Sequence, residues 1–278
     1  MNNIKLCGHS GCKLEVVRYD GVLSVIKVSK DSDYDKRLKA QEEKQKNFCN
    51  SIFKAPRILG DFKDENGRFC FIMEYVNGVT LSEYLKKISI SDIEKFANMF
   101  LSFIPNDFIF DPEAKSIFLS KITDLESKIN VESEVFFNIF SRLKKNKWDH
   151  CVSSSCHGDL TLENMIWDGN NIYLIDFLDS FYDSWMVDLA KLLQDLECFW
   201  SYRNDKNIDE NLKIRLFIFK KIILDKICAL PDGKQILQTL YDILLIHLLR
   251  IIPYTKDDFT KNYLNIEINR IFEKVNKI

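Results

Sequence analysis

Asp159, Asn164 and Asp176 are three side chains with oxygens suited to chemistry, and they occur in one short segment, residues 156–177, which reads CHGDLTLENMIWDGNNIYLIDF. Asn164 follows Asp159 by five residues, and Asp176 follows Asn164 by 12. The residues between Asn164 and Asp176 predict two short strands around a Gly-Asn-Asn turn. Because the two open ends of an antiparallel hairpin lie side by side, we expect the Asn164 amide and the Asp176 carboxylate to converge on one point.

This set of oxygen atoms favours a divalent-cation site. Mg²⁺ is coordinated by few protein oxygens, retains water ligands and usually also binds substrate phosphates. Asp159, one loop upstream, would then lie beside the metal, where its carboxylate could accept the proton of an attacking hydroxyl. A hydroxyl acceptor, a phosphate-bridging metal and fixed geometry are together the requirements of phosphoryl transfer. Taken singly, each residue has a plainer interpretation as a turn, a cap or a surface acid.

The same segment resembles a known family. HGDLTLEN at 157–164 followed by LIDF at 174–177 is similar to the catalytic loop and metal-binding segment of the protein-kinase-like small-molecule phosphotransferases. That superfamily includes aminoglycoside phosphotransferases and choline or ethanolamine kinases. The resemblance covers most of the chain in element order and is specific in this segment. It implies that Asp159 is the catalytic aspartate and that Asn164 and Asp176 are Mg²⁺ ligands.

Other residues of the segment acquire roles from the resemblance. His157 is similar to the histidine that braces the catalytic loop, with proton transfer as the alternative role. Leu178 stands where protein kinases carry the glycine of Asp-Phe-Gly, and Gly158 stands where they usually carry arginine. Both departures point to the small-molecule branch of the superfamily.

The hydrophobic period divides the chain into a strand-rich part and a helical part. Up to about residue 76 the sequence reads as strands, and Asp20-Gly21 between KLEVVRY and VLSVIKV is a strong hairpin signal. With the resemblance, this predicts an α+β, bilobal, protein-kinase-like fold. Residues 1–76 would form a small antiparallel β-sheet lobe with one helix, which binds the nucleotide. Residues 77–278 would form a larger, mainly helical lobe for catalysis and acceptor binding.

The individual elements are predicted from period and end signals. A charged helix is expected from Asp33 to about Ile52, and two further strands, APRILGDF and RFCFIMEY, flank a turn with Asn66-Gly67. Later helices are expected at about 184–202, 210–230, 234–252 and 257–277. Ligands favour clefts at the junctions of such domains.

The resemblance requires a strand lysine for the nucleotide phosphates, paired with a helix glutamate. Lys27 in VLSVIKV fits the first role, since a lysine between Ile and Val is costly to bury without a partner. An exposed edge lysine is the alternative. At about 100° per residue, Glu42 lies on the Leu38 side of the helix and Glu43 does not, so we choose Glu42.

Two backbone segments complete the predicted nucleotide site. Gly8 and Gly11 flank a short loop whose amides could approach a triphosphate, although a plain turn fits equally well. The segment MEYVNG occupies the position of the inter-lobe hinge, where the resemblance implies that adenine bonds to the backbone of Glu74 and Val76. Met73 would line the purine pocket or belong to the core.

Downstream of Asp176, the segment SFYDSWMVDLAKLLQDL resembles the family's entry into the next helix. Asp188 is expected to anchor the catalytic loop through hydrogen bonds rather than to do chemistry. Acids and aromatic residues of the helical lobe could hold an amine, a quaternary ammonium or a sugar ring, although their spacing fits surface and core equally well. The candidate acceptor contacts are Asp179, Asp183, Glu197, Trp200 and Tyr202.

Composition limits the partners and the compartment. Lys and Arg number 39 against 41 Asp and Glu, a net charge of −2, so no global basic field favours nucleic acid or an anionic membrane. The most apolar stretch, 240–252, is interrupted by Asp242, His247 and Arg250 and falls short of a membrane span. No secretory signal is evident, and eight scattered cysteines without a C-x-x-C pair predict reduced thiols rather than zinc or disulfides. We expect a cytoplasmic protein with a small-molecule acceptor, and its oligomeric state is open.

The expected function is that of an ATP–Mg²⁺-dependent kinase acting on a hydroxyl of a small metabolite. The segments HGDLTLEN (157–164) and LIDFLDSFYDS (174–184) resemble phosphotransferases of bacterial surface glycan synthesis more than resistance enzymes. The favoured acceptor is therefore a sugar or sugar-like intermediate of that synthesis. Choline or ethanolamine comes second and an aminoglycoside third. A protein acceptor is disfavoured because no Ala-Pro-Glu segment is evident after Asp176. The alternative of another class is a catalytically silent, nucleotide-binding pseudokinase.

Overall fold

The computed structural model describes residues 11–129 and 133–278. The chain forms two compact units. One contains the described residues up to Leu81 together with Asn164–Asp179, and the other contains Ser82–Glu163 together with Ser180–Ile278.

The strands of the described residues belong to the first unit. They are β1 (Lys13–Tyr19), β2 (Val22–Val28), β3 (Phe53–Lys54), β4 (Ile58–Lys63), β5 (Phe69–Glu74), β6 (Val79–Thr80), β7 (Met165–Trp167) and β8 (Ile172–Leu174). One antiparallel sheet has the strand order β1-β2-β5-β4. The other has the order β3-β8-β7-β6, in which β3 and β8 run parallel and the other neighbours antiparallel.

β1 and β2 form the hairpin that the sequence predicts. Their register pairs Tyr19 with Val22, which leaves Asp20 and Gly21 as a two-residue turn. Both turn residues have positive φ, 48° and 79°, as a type I′ turn requires. The predicted turn between β4 and β5 also contains a left-handed glycine, Gly67, with a φ of 74°.

Helix α1 (Ser32–Asn47) packs on the first sheet. Asp31 caps its start by accepting the Tyr34 amide at 2.8 Å. The helix ends five residues earlier than predicted. The physical reason is Asn50, whose side-chain oxygen accepts two backbone amides of the segment that leads into β3.

The core of the first unit lies between α1 and the first sheet. Each of its apolar side chains is less than a tenth exposed, and burial of such a side chain contributes about 1.5–3 kcal/mol. The members are Cys12, Val25, Leu38, Phe69, Phe71 and Met73.

The β7–β8 hairpin belongs to the first unit. β8 pairs with β3, and β7 pairs with β6, so both neighbours come from the N-terminal part of the chain. The division therefore differs from the predicted one, which placed 164–179 in the helical lobe and the boundary after residue 76. Partner strands of two residues show no alternation in the sequence, which is why the prediction missed them.

Helices make up most of the second unit. The helices after α1 are α2 (Leu81–Leu85), α3 (Ile90–Met99), α4 (Ala114–Lys128), α5 (Glu134–Lys145), α6 (Trp185–Cys198), α7 (Glu210–Cys228), α8 (Gly233–Ile251) and α9 (Asp258–Val275). The four helices predicted after residue 184 correspond to α6 through α9, with ends within four residues of the prediction. The predicted fold class, a small antiparallel-sheet lobe followed by a larger helical region, is confirmed.

α8 is a central helix of the second unit. It packs against α6, α7 and α9, and its buried residues include the polar Asp242 and His247. By length and composition the segment Gly233–Tyr254 could cross a membrane, but 67% of its most apolar window is buried within the fold. A helix that is apolar on nearly every side is also what the core of a large unit requires.

Gly78 lies where the chain passes very close to β7. A Cβ added at Gly78 would be 2.4 Å from the Trp167 carbonyl oxygen and 2.7 Å from Ile166 Cγ2. We predict that Gly78→Ala lowers the free energy of unfolding by about 1–3 kcal/mol, because β6 and β7 must separate to admit the methyl group. Urea denaturation measures the change. Gly60→Ala is the control, since the nearest atom to its added Cβ is the Tyr19 hydroxyl at 3.9 Å; equal stability of the two variants would contradict the prediction.

Candidate active site

The open end of the β7–β8 hairpin carries Asn164 and Asp176. Beyond the last strand pair, Met165 with Leu174, the Ile175 amide donates to the Asn164 carbonyl oxygen at 3.0 Å. The backbone of Asn164 is therefore bonded to the residue that precedes Asp176. The hairpin required by the predicted metal site is present, and the convergence of the two side chains remains a prediction.

Asp176 has a strained backbone. Its φ is 63°, a left-handed conformation that costs an L-residue roughly 1–3 kcal/mol at such positions. Strain of this kind at a residue other than glycine clusters at functional sites. Its side chain is 29% exposed, so the carboxylate is open to solvent or a ligand on at least one side.

Lys27 of β2 contacts Asp176. The Lys27 side chain is 5% exposed, and its ammonium forms an ion pair with Asp176 Oδ1 and lies 3.4 Å from Gln41 Oε1. A buried ammonium is costly unless it is paired. Lys27 is therefore a buried, paired lysine and not an exposed edge lysine.

The helix partner of Lys27 is Gln41, and the predicted partner Glu42 was wrong. Glu42 is buried, and burial together with repulsion from Asp61 raises its pKa. Within residues 11–129 and 133–278, Lys27 forms its ion pair with Asp176 and not with Glu42. Relative to Leu38, Gln41 and Glu42 lie at about 300° and 40° around the helix, so both flank the buried side and periodicity does not separate them.

The loop that carries Asp159 is bound to α6 through a buried carboxylate. Asp188, which is 1% exposed, accepts the His157 amide at 2.6 Å and the Gly158 amide at 2.7 Å, one on each oxygen. Gly158 has a φ of 91°, which glycine adopts without strain. These are the anchoring hydrogen bonds predicted for Asp188.

Asp195 holds the other end of the same loop and was not among the predicted site residues. Its two oxygens accept the Leu162 amide at 2.6 Å and the Ser201 amide at 2.7 Å. Burial raises the pKa of Asp195 to about 6, although both amide bonds act in the opposite direction. The available signal is spacing, since Asp195 follows Asp188 by seven residues and so lies on the same face of α6.

Lys191 lies between these two acids on α6 and contacts Asp159 itself. Lys191 Nζ is 3.1 Å from Asp159 Oδ1, and the two side chains are 11% and 27% exposed. Burial acts to raise the pKa of Asp159, but Lys191, with His157 and Arg250, lowers it by more, so the pKa lies below its ordinary value. The carboxylate of Asp159 is therefore ionised. No motif in the sequence predicts this contact of Lys191.

His157 braces the loop. It is fully buried, and its Nδ1 accepts the Asp159 amide at 3.3 Å. A buried ring that already holds a loop amide fits the bracing role, and its burial argues against the alternative of proton transfer to a substrate.

The glycine loop predicted to approach the triphosphate is only partly described. Gly8 lies outside the described residues. Gly11 is exposed and has a φ of 76°, which suits a tight turn. The phosphate contact of this loop remains a prediction.

The predicted adenine segment begins in β5. Met73 is 8% exposed and packs in the core of the first unit, which supports the core alternative for this residue. The Glu74 amide donates to the Arg57 carbonyl oxygen at 3.0 Å, so it is already bonded. Adenine contacts with the backbone of Glu74 and Val76 remain predictions.

Glu197, a candidate acceptor contact, has a structural role instead. It is 4% exposed, and its carboxylate is bound by Lys220, Arg270 and Lys274 at 2.8–2.9 Å. Burial acts to raise the pKa of Glu197, but Lys274 and Lys220 lower it to about 2. The prediction failed because helical spacing alone does not distinguish a buried, neutralised acid from a ligand contact.

The aromatic candidates are also engaged in packing. Tyr202 is 1% exposed, and its hydroxyl donates to the Ser82 carbonyl oxygen at 2.9 Å. This burial contradicts its predicted acceptor role. The Trp200 ring lies under the Arg203 guanidinium, with 4.0 Å to the ring centroid. The candidates that are exposed are Asp179 and Asp183.

A family model matches the part of the chain that contains the loop and α6. Residues 124–216 match the model of the phosphotransferase enzyme family, APH. The match includes Asp159, Asn164 and Asp176, the residues that carry the resemblance. No curated protein matches the chain in sequence.

Solved structures show the same fold over nearly the whole chain. A fructosamine-3-kinase homologue from Haemophilus somnus 129PT is 16% identical with a TM-score of 0.56, and the match covers 96% of this chain and 90% of that one. Choline kinase LicA from Streptococcus pneumoniae is 15% identical with a TM-score of 0.52, covering 96% and 92%. The aminoglycoside phosphotransferase APH(4)-Ia, in a ternary complex with ADP and hygromycin B, is 12% identical with a TM-score of 0.61, covering 98% and 92%.

The raised pKa of Asp195 predicts a pH-dependent contribution to stability. A carboxyl group whose pKa is raised from 3.8 to about 6 on folding contributes most when it is protonated. This contribution is complete below the unfolded pKa and is lost as the pH rises through the folded one. The unfolding free energy of the wild type, minus that of Asp195→Asn, should therefore fall by roughly 3 kcal/mol as the pH rises through this window.

Urea denaturation between pH 4 and pH 7 measures this difference, and Asp107→Asn, which alters an exposed acid of the same unit, is the control. A difference between wild type and Asp195→Asn that stays constant over this range would contradict the prediction.

Proposed function

We propose that this chain, a member of the protein-kinase-like small-molecule phosphotransferase superfamily, is an ATP–Mg²⁺-dependent kinase of a sugar or sugar-like metabolite. The chain is a phosphotransferase that uses a hydroxyl group as acceptor. The proposed acceptor is an intermediate of bacterial surface glycan synthesis.

One observation carries the nucleotide part of the proposal. Lys27 on β2 and Asp176 after β8 are 149 residues apart in sequence and form a mostly buried ion pair. A lysine for phosphate oxygens and an acid for a divalent cation would need to be neighbours if both act on one triphosphate. Asn164 lies at the same open end of the hairpin as Asp176.

The residues at this end of the hairpin fit Mg²⁺. Asn164 and Asp176 offer an amide oxygen and a carboxylate, which are hard oxygen donors of the type that Mg²⁺ prefers. The partial exposure of Asp176 leaves room for water and phosphate oxygens. Mg²⁺, when bound, would neutralise charge on the phosphate oxygens.

We assign to Asp159 the role of binding the acceptor hydroxyl. Its carboxylate is ionised, and the loop that carries it is anchored at both ends by buried acids of α6. Phosphoryl transfer asks for little covalent chemistry from the protein, so positioning and charge stabilisation supply most of the rate enhancement. Asp159 would orient the hydroxyl and take its proton as the new bond to phosphorus forms.

The state of Glu197 removes one of the acids that a cationic acceptor could use. An amine or a quaternary ammonium is recognised by acids and aromatic faces, and Glu197 was one of the acids predicted for that purpose. Its charge is instead neutralised by three buried or half-buried cations. Tyr202 is likewise buried.

An acceptor screen tests the proposal. The protein is incubated with Mg²⁺-ATP and a panel of sugars, sugar phosphates, choline, ethanolamine and aminoglycosides, and both ADP release and product mass are measured. Phosphorylation of a sugar supports the proposal, whereas transfer to choline, ethanolamine or an aminoglycoside would replace the acceptor class. Stabilisation by nucleotide without any ATP consumption would favour the pseudokinase instead.

Replacement of the catalytic acid should separate turnover from binding. We predict that Asp159→Asn lowers kcat by at least about 100-fold, because the amide cannot accept the hydroxyl proton. The Kd for Mg²⁺-ATP should stay within a factor of roughly three, since Asp159 is not assigned to the nucleotide. Isothermal titration calorimetry and a coupled ADP assay measure the two quantities. Wild-type kcat in this variant would show that Asp159 is not the base.

Replacement of the proposed metal ligands should raise the Mg²⁺ concentration that activity requires. Asp176→Asn and Asn164→Ala are expected to raise the Mg²⁺ concentration for half-maximal activity by about tenfold or more, because each removes an oxygen donor or its charge. Glu65→Gln, at an exposed turn of the first unit, is the control for loss of one acid. An unchanged Mg²⁺ dependence in both ligand variants would disprove this metal site.

A further inference from the structure

We propose that Lys191 is a positioning residue for the catalytic acid: its ammonium, in direct contact with Asp159, fixes the orientation of that carboxylate. The inference rests on the proposed function for its catalytic consequence. It concerns a residue that neither the sequence motif nor the family resemblance assigns.

The Lys191 ammonium is held from two sides. Its Nζ lies 3.1 Å from Asp159 Oδ1 and 3.2 Å from the side-chain oxygen of Gln194. Gln194 is fully buried, and Lys191 is 11% exposed. A mobile surface lysine contributes little to a salt bridge, but an ammonium fixed in a buried frame has a defined position and strong local electrostatics.

The frame that holds Lys191 is the same one that holds the loop. Asp188, Lys191 and Asp195 follow one another at spacings of three and four residues, so they project from one face of α6. Asp188 and Asp195 bind backbone amides at the two ends of the loop. Lys191, between them, binds the side chain of Asp159. One face of α6 therefore binds both the backbone of the loop and the Asp159 carboxylate that the loop carries.

The charged groups around Asp159 explain why a cation is needed there. Asp159 lies among Lys191 of α6, Arg250 of α8 and His157 of its own loop, while burial opposes its ionisation. Asp188 of α6 is an additional acid bound to the adjacent amides. Lys191 contacts Asp159 directly, so its removal should shift the titration of Asp159.

His247 of α8 does not provide a competing charge. It is fully buried, and burial together with Lys191 and Arg250 lowers its pKa well below the ordinary value. The imidazole is therefore neutral near pH 7. The cations of α6 and α8 close to Asp159 are Lys191 and Arg250.

The chemical consequence concerns the proton of the acceptor. In the transfer step the acceptor oxygen forms a bond to the γ-phosphorus, the bond from that phosphorus to the leaving oxygen of ADP breaks, and the hydroxyl proton passes to Asp159. This step needs an ionised carboxylate that points at the hydroxyl. The contact of Asp159 Oδ1 with Lys191 restricts the rotation of that carboxylate.

The experiment compares three variants of the full-length protein. Lys191→Met removes the charge and keeps the aliphatic length, and Lys191→Arg keeps the charge. Lys220→Met is the matched control, because Lys220 is also a mostly buried lysine (17% exposed) in an ion pair of the same unit, with Glu197 at 2.9 Å. Glu197 retains Arg270 and Lys274 in that variant, so the control is expected to fold.

Two measurements are made on each variant. Carboxyl ¹³C NMR of aspartate-labelled protein, with the Asp159 signal assigned through Asp159→Asn, follows the titration of Asp159 without any turnover. The pH dependence of kcat is measured with the acceptor found in the screen or, failing that, from the slow hydrolysis of Mg²⁺-ATP by water.

We expect the Asp159 titration and the acidic limb of the rate profile to move to higher pH in Lys191→Met. They should return toward the wild-type position in Lys191→Arg and stay unchanged in Lys220→Met. At neutral pH, kcat of Lys191→Met should fall about tenfold or more with a smaller change in KM, because the carboxylate loses its orientation. The loss should grow as the pH falls.

Two outcomes separate this inference from the proposed function. If the wild type turns over ATP and neither the Asp159 titration nor the rate profile moves in Lys191→Met, the role of Lys191 is overturned and the kinase stands. If the wild type does not turn over ATP under any condition, the proposed function fails, and with it the catalytic role of Lys191. The NMR titration then still decides whether Lys191 sets the ionisation of Asp159.

Discussion

The loop that carries Asp159 depends on buried carboxylates that accept its backbone amides. Asp188 binds the amides of His157 and Gly158, and Asp195 binds the amide of Leu162. A buried carboxylate without hydrogen-bond donors would be very costly. The loop amides supply those donors, and the carboxylates of α6 in turn satisfy the amides. Asp159 is held between these two anchors.

In the first unit, the buried charge is an ammonium and the group that compensates for it is a carboxylate. The ammonium of Lys27 is buried in a sheet of apolar residues, and the carboxylate of Asp176 compensates for it. Asp176 reaches this position from a hairpin that joins the N-terminal strands through β3 and β6. The left-handed backbone of Asp176 is a local cost that the surrounding structure must offset.

Much of the fold and part of the site could be predicted because their signals are local. The Asp20-Gly21 turn, the helices from α6 to α9 and the Asn164–Asp176 hairpin each depend on residues close in sequence. The failures have a different origin. To choose between Glu42 and Gln41, the direction of the buried helix face must be known to within one residue, which periodicity does not provide. The ligand role predicted for Glu197 was wrong because the three cations that bind it lie on α7 and α9, far from it in sequence.

The residue types of the loop and hairpin, and therefore the class of chemistry, can be read from the amino-acid sequence. The spacing from Asp159 to Asp176 can also be read without coordinates, because turn and strand preferences act over a few residues. Which charges meet depends instead on the packing of distant elements. Lys27 with Asp176 and Lys191 with Asp159 are separated by 149 and 32 residues, and the burial that makes such pairs obligatory is a property of packed elements and not of neighbours along the chain.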